Sequence, residues 1–371
     1  MQEKKSEHKS IRILIERGSE LKKVLLLSRP FINSVQGTGE QLVAREIANE
    51  LIQNYKTYIK LTYVHRMMVN PYKSVASVIF YDYIVTLTFS FINLLKPYDL
   101  VIFNSPYQAA FAWFFRLRRK HTVCIIHDFT HLGLVQTGLF AKYSSAIYPI
   151  AINNCDKLIM ATVETQQTLK RKHNRIGEVV PLGVEKGLSE PDFSAIKPGN
   201  SVGYIGAYSV RKRPDRILDL MKSGKAGHLT LSLAGRIPAE LENEFRIVAN
   251  ANKISLHILG EVTDVKKDKF YKEISYLYFP TTLEAFGLPI AEAFRTGSIP
   301  IVHRDAVIPK LLKDHCLLID CPDEIYDIVA RFEHDRNRYV KILRENFELA
   351  SAFTWPRFVS KLIAPLLSKE S

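Results

Sequence analysis

The sequence predicts two doubly wound α/β domains, each a parallel sheet with helices on both faces. Three observations carry this. The chain has 371 residues, too many for one ordinary core at ~100–200 residues per domain. Short β-rich runs alternate with helical patterns from one end to the other. Most of those runs are continuously apolar rather than alternating, as parallel strands covered on both faces must be.

Taken in order, the strand candidates of the first half are residues 24–28, 57–64, 100–104, 122–127, 157–161 and 178–180. Those of the second half are 202–207, 229–234, 255–259, 276–279, 299–303 and 316–319. Between the first two runs, Ala44, Ile47, Ala48 and Leu51 follow the i, i+3, i+4, i+7 spacing of an amphipathic helix. Pro191, Pro198, Gly199 and Asn200 break any pattern and mark the boundary. The expected division is residues 1–190, 191–354, and a last segment 355–371. That segment starts with Trp355-Pro356 and carries Phe358, Leu362, Ile363 and Leu366, an apolar stripe in need of a surface, with the first domain a candidate. Ligands of such folds sit at the carboxyl ends of strands, so a cleft between the two domains is the expected site.

Composition excludes several classes. Apolar residues make up 47% and charged residues 24%, an ordinary globular mix and not that of a fibre or a disordered chain. Cys124, Cys155, Cys316 and Cys321 are scattered without metal-ligand spacing, which argues for a reducing compartment and against a structural metal. The first twenty residues are charged throughout, unlike a signal peptide. Residues 74–95 approach the ~20 of a membrane span, but Asp82 and several hydroxyl side chains favour a buried or half-buried helix. Net charge is +13, and residues 1–185 hold 24 Lys/Arg against 14 Asp/Glu. A basic first half suits an anionic partner. Within it, Trp113-Phe114-Phe115-Arg116-Leu117-Arg118-Arg119-Lys120 mixes aromatic and cationic residues as interfacial helices do, although core aromatics at a solvated helix end give the same pattern.

The most informative segment runs from Thr281 to Phe294. It leaves a strand and enters a helix, with Pro289 suited to the first helical turn. Gly287 allows a sharp turn and a close approach of backbone to ligand. The N–H groups of Phe286, Gly287 and Leu288 then face an anion such as a phosphate, helped by the helix dipole. Glu284 and Glu292 flank that position; carboxylates repel phosphate, so they suit the hydroxyl groups of a sugar and a ribose.

Glu284 to Glu292 resembles the E-x7-E motif of the retaining glycosyltransferases of the GT-B fold, group 1 or family 4 type, and the resemblance runs over most of the chain. It implies two Rossmann-like domains facing across a cleft and transfer of a sugar from a nucleotide diphosphate donor with retained anomeric configuration. It implies that Glu284 contacts the donor sugar and Glu292 the ribose. Gly37-Thr38-Gly39 resembles the glycine-containing loop that approaches the donor diphosphate, and Ile125-Ile126-His127-Asp128 the strand end whose His lies near the donor sugar. The segment from Val180 to Glu185 resembles the close of the first domain. Tyr204-Ile205-Gly206-Ala207-Tyr208-Ser209-Val210-Arg211-Lys212-Arg213-Pro214 resembles the first strand and loop of the second. Lys212 matches the Lys of that loop, but Ala207 stands where the family usually has Arg, leaving Arg211 or Arg213 to supply the charge. Fixed cations there stabilise a departing diphosphate without a metal. Lys310 stands where many relatives carry Glu.

The expectation is therefore a hexosyltransferase using a nucleotide-diphosphate sugar and a glycan or lipid-linked acceptor. Catalytic His127, Lys212 and Glu284 are expected, with donor contacts from Gly37, Thr38, Gly39, Gly206, Arg211, Phe286, Gly287, Leu288 and Glu292. No cofactor, metal or nucleic acid is expected, and a cytoplasmic protein resting on an anionic membrane face is. The alternatives are a nucleotide-sugar epimerase on the same fold and a non-catalytic nucleotide or nucleic-acid binding module.

Overall fold

The computed structural model describes residues 22–28, 39–55, 59–64, 87, 91–92, 95–127, 139–184, 188–223 and 228–366. Most of the apolar stretch at 74–95 therefore lies outside the described residues, as do Gly37, Thr38, Asp128 and Glu185. No described helix is long and apolar enough to cross a membrane.

The chain folds as two compact units. One comprises the chain up to Gly183 together with the segment from Trp355; the other is Val184–Thr354. The first unit's strands are β1 (Lys22–Leu27), β2 (Ile59–Val64), β3 (Leu100–Phe103), β4 (His121–Ile126), β5 (Lys157–Met160) and β6 (Glu178–Val179). They form a parallel sheet in the order β2-β1-β3-β4-β5-β6. Val24 to Leu27 and Leu100 to Phe103 are buried, which explains why their sequences lack alternation. The helix Gly39–Asn54 buries Val43, Ala44, Ile47, Ala48 and Leu51.

The helix Trp355–Ile363 belongs to this unit and packs against Gly39–Asn54. It buries Trp355, Phe358, Val359, Leu362 and Ile363, one helical face. A polar tie completes the docking: Lys157 Nζ donates to the Lys361 carbonyl at 2.9 Å and pairs with Glu178 at 2.8 Å. Lys361 reaches the same Glu178 at 3.4 Å.

The second unit holds β7 (Ser201–Ile205), β8 (Thr230–Ala234), β9 (Ser255–Gly260), β10 (Tyr276–Tyr278), β11 (Ile299–His303) and β12 (Leu317–Ile319). Their parallel order is β12-β11-β10-β7-β8-β9. Counted from its own first strand this is the 3-2-1-4-5-6 order of a doubly wound sheet, whose crevice opens where the winding reverses. The reversal lies between β7 and β10, so the loops leaving those two strands are the ones placed to meet over a ligand. In the first unit the equivalent point lies between β1 and β3.

Two strand ends of the second unit come unusually close. A Cβ built on Gly235 would lie 2.0 Å from the Gly206 carbonyl oxygen, and Gly235 has φ +121. Only glycine fits there.

Candidate active site

In the second unit the chain leaves β10 at Phe279 and runs to Glu284 between two other loops. Thr282 N–H donates to the Arg211 carbonyl at 2.9 Å, Val307 N–H to the Thr282 carbonyl at 2.8 Å, and Glu284 N–H to the Val307 carbonyl at 2.9 Å. This lattice of main-chain bonds fixes the backbone that carries Glu284.

The side chain is fixed as firmly. Glu284 Oε1 accepts from Lys212 Nζ at 2.6 Å, from Thr281 Oγ1 at 2.7 Å and from Arg211 Nη1 at 3.0 Å. Arg211 also donates to the Leu283 carbonyl. All three donors converge on one oxygen, and Oε2 is left without a hydrogen bond among the described residues. Lys212 and Glu284 are both nearly buried, so neither charge is tolerable without the other. Burial pushes the Lys212 ammonium below the ordinary lysine range, while Glu284 pulls the other way. The ammonium also lies 4.3 Å above the Phe279 ring, a further stabilisation of the cation.

Arg211 and Arg213 differ in their partners. Arg213 turns away and grips Asp215 through Nε at 2.9 and 2.8 Å, and Arg216 pairs with Asp305 at 2.8 Å. Arg211 is the second cation beside Glu284.

Gly287 has φ +98 and caps the helix Leu288–Thr296, with Pro289 in its first turn. The N–H groups of Phe286, Gly287 and Leu288 have no main-chain acceptor among the described residues, and a helix start leaves such donors open to an anion. The Phe286 ring itself is buried and meets Phe353 edge-on at 5.8 Å, so only its backbone is offered. One turn further on, Glu292 is buried. Its Oε1 accepts from Lys267 Nζ at 2.8 Å and its Oε2 from the Tyr271 hydroxyl at 2.8 Å. Gly206 begins the loop after β7, with its N–H donating to the Ala234 carbonyl at 3.1 Å.

In the first unit, Gly39 opens the helix after β1, and His127 follows β4. His127 Nε2 lies 2.7 Å from the Asn104 carbonyl. A carbonyl only accepts, so Nε2 carries the proton and Nδ1 of the neutral ring is left as an acceptor. Asn104 Nδ2 in turn donates to Ser28 Oγ at 3.1 Å and to the Glu40 carbonyl at 2.8 Å. The ends of β1, β3 and β4 are thus tied together at this unit's own reversal point.

Sequence reasoning missed Thr281, Lys267, Tyr271 and Asn104. Lys267 and Tyr271 are four residues apart on the helix Asp264–Glu273, a spacing that puts both on one face, but nothing local says that the face meets Glu292. The aromatic and basic stretch divides. Phe115 is buried in the core and meets Phe103 edge-on at 6.0 Å, as the core alternative for this run has it. Trp113 is 40% exposed and Leu117 73%. Arg116 is held by Asp156 at 3.0 Å.

Comparison with known proteins adds independent information. Residues 190–348 match the family model described as glycosyl transferases group 1. A curated GDP-mannose:cellobiosyl-diphosphopolyprenol alpha-mannosyltransferase of Komagataeibacter xylinus is 22% identical over 214 residues, 54% of this chain and 52% of that protein. The chain thus matches about half the length of that relative. Among solved structures, sucrose-phosphate synthase from Thermosynechococcus elongatus superposes with a TM-score of 0.71 at 13% identity, covering 94% of this chain and 98% of that one. Anabaena HepE in complex with UDP and glucose gives 0.65 at 15%, over 94% and 100%. WaaG, a glycosyltransferase involved in lipopolysaccharide biosynthesis, gives 0.63 at 13%, over 92% and 99%. Each unit's parallel sheet and these superpositions give the chain the fold of the GT-B glycosyltransferases, with the sequence pattern of glycosyl transferases group 1 in its second unit.

Proposed function

We propose that the chain is a retaining glycosyltransferase that moves a hexosyl unit from a nucleotide-diphosphate sugar to a glycan or lipid-linked acceptor. The observation that carries this reading is the Glu284 cluster. A carboxylate with one oxygen held by Lys212, Arg211 and Thr281 keeps its other oxygen for a sugar hydroxyl. It stands in the same loop as three N–H groups suited to a phosphate.

The chemistry follows from charge. As the bond from the anomeric carbon to the phosphate oxygen breaks, negative charge grows on the diphosphate. Lys212 has donors beyond the one committed to Glu284, and Arg211 retains Nε and Nη2; with the helix start they are suited to meet that charge. Retention is accounted for by an acceptor hydroxyl attacking on the face from which the diphosphate departs. Its proton passes to the leaving phosphate oxygen. His127, with Nδ1 as acceptor, suits a donor-sugar hydroxyl, and Glu292 the ribose. Gly206 and the segment Gly37, Thr38, Gly39 are assigned to the donor as well.

We place the acceptor on the basic first unit and the enzyme at an anionic membrane face on the cytoplasmic side. The support is the exposed Trp113 and Leu117 beside Arg118, Arg119 and Lys120, which form no ion pair among the described residues. The test is a panel of UDP-, GDP- and ADP-sugars, followed by nucleotide release with and without candidate acceptors. One donor should release nucleotide in wild type and at least about tenfold more slowly in Glu284→Gln. Binding of nucleotide with no turnover of any donor would overturn the catalytic reading.

A further inference from the structure

The second carboxylate of the site is not free to choose its position. Glu292 lies on the second turn of the helix whose start is suited to an anion, and it is one of few buried acidic side chains described. An uncompensated carboxylate there would repel a diphosphate and would itself be costly to bury. The helix Asp264–Glu273 answers both problems. Lys267 Nζ sits 2.8 Å from Glu292 Oε1 and the Tyr271 hydroxyl 2.8 Å from Oε2. The same Tyr271 hydroxyl lies 3.3 Å from the Pro289 carbonyl in the first helical turn, and the Tyr271 carbonyl accepts from Ser298 Oγ at 2.7 Å beyond the helix end. One side chain and its main chain therefore grip this helix at its start, its middle and its far end.

We infer that Lys267 and Tyr271 are positioning residues for nucleotide binding, holding both oxygens of Glu292 in one orientation and cancelling its charge beside the diphosphate. The inference rests on the reading that Glu292 receives the ribose. Lys267 supplies the cancelling charge, and Tyr271 supplies orientation, since its hydroxyl is neutral. The bound nucleotide then meets a carboxylate whose remaining lone pairs are already directed.

The test is nucleotide affinity of the full chain, by calorimetry with UDP, GDP and ADP, and steady-state kinetics with the matching sugar donor. Tyr271→Phe removes one O–H and little volume. It should raise Kd and KM about tenfold, the loss of about one charge-assisted hydrogen bond, with kcat within a factor of about three. Lys267→Met should weaken binding at least as much and lower Tm. Lys267→Met/Glu292→Met should recover Tm, because replacing both members of a buried pair is far milder than removing one, and should not recover binding. If Tyr271→Phe and Lys267→Met bind nucleotide as wild type while Glu292→Ala does not, the positioning role is wrong and the ribose reading stands. If Glu292→Ala binds as wild type, the ribose reading itself fails. If Lys267→Met does not fold, Tyr271→Phe and its split between KM and kcat decide alone.

Discussion

Lys212 and Glu284 meet at 2.6 Å from the loops that leave β7 and β10, the pair of strands between which the second sheet reverses its winding. Their meeting is a product of topology, since 71 residues lie between them in sequence and only the sheet order makes them neighbours. A buried ion pair of this kind is weak support for stability and strong support for a poised site.

Glu284→Gln should lower Tm, because Lys212 is left nearly buried without its counter-charge, and should also slow the chemistry of the protein that stays folded. The amide keeps the shape and can still accept from Lys212, but it loses a charged acceptor worth ~1.5–3 kcal/mol to a sugar hydroxyl. Turnover should fall by about 10- to 100-fold. A wild-type rate in this variant would remove Glu284 from the reaction.

Lys212→Ala should lower turnover by at least ~10²-fold, the size seen when one stabiliser of developing charge is lost. Chelators provide the control. If removing divalent ions abolishes activity and Lys212→Ala does not, a metal ion and not this cation supports departure.

The same lysine gives a pH signature with opposite signs. Burial places its pKa below the 10.5 of an ordinary lysine, so in the window just under 10.5 the unfolded chain binds more protons than the folded one. This group's contribution to stability rises with pH through that window. Activity, which needs the cation, falls through it. Parallel profiles of kcat and Tm should diverge on the alkaline side, and a common fall of both would mean unfolding and not deprotonation.

Glycine substitutions should rank by what a methyl group meets. Gly287→Ala adds a Cβ with its nearest neighbours at 3.4 Å, and only φ +98 is strained, a cost of ~1–3 kcal/mol. It should fold with lowered Tm and weakened nucleotide binding. Gly235→Ala drives a Cβ into the Gly206 carbonyl and should be far more destabilising. Thermal denaturation of the two variants checks the order.

Flotation with liposomes tests the surface. Basic residues near an anionic bilayer contribute ~1 kcal/mol each, so Arg118→Ser/Arg119→Ser/Lys120→Ser should release the protein from anionic vesicles, as high salt should. Leu117→Asp should weaken binding further. Binding indifferent to lipid charge and salt would mark this region as a solvated helix end and favour a soluble acceptor.

Much of this was legible in the sequence. Strands such as β3 and β11 lie where continuous apolar runs put them, because parallel strands covered on both faces have no polar side to blur the signal. Glu284 and Lys212 stood out through their surroundings, a turn glycine and helix-starting proline for one and a strand-end loop for the other. What could not be read was pairing across the fold. Lys267 and Tyr271 look like solvated helix residues until a neighbouring helix brings Glu292 against them. Arg211 and Arg213 are indistinguishable by type and differ only in that Asp215, two residues on, captures the second. Phe115 points inward and Trp113 outward, although both are aromatic and two residues apart.

The first unit is built from two separate stretches of chain, one up to Gly183 and one from Trp355. A Cβ on Gly183 would lie 2.4 Å from the Trp355 nitrogen, and the next residue in, Val184, donates to the Phe353 carbonyl at 3.0 Å. This fixes an order of assembly on the ribosome. The chain emerges from its amino end and domains fold as units during synthesis. The second unit is complete once Thr354 is out, while the first still lacks Trp355, Phe358, Val359, Leu362 and Ile363. Its apolar surface over the helix Gly39–Asn54 stays uncovered until the helix Trp355–Ile363 has been made. The unit begun first is finished last, so truncation after Thr354 should cripple the early half of the protein and spare the late one.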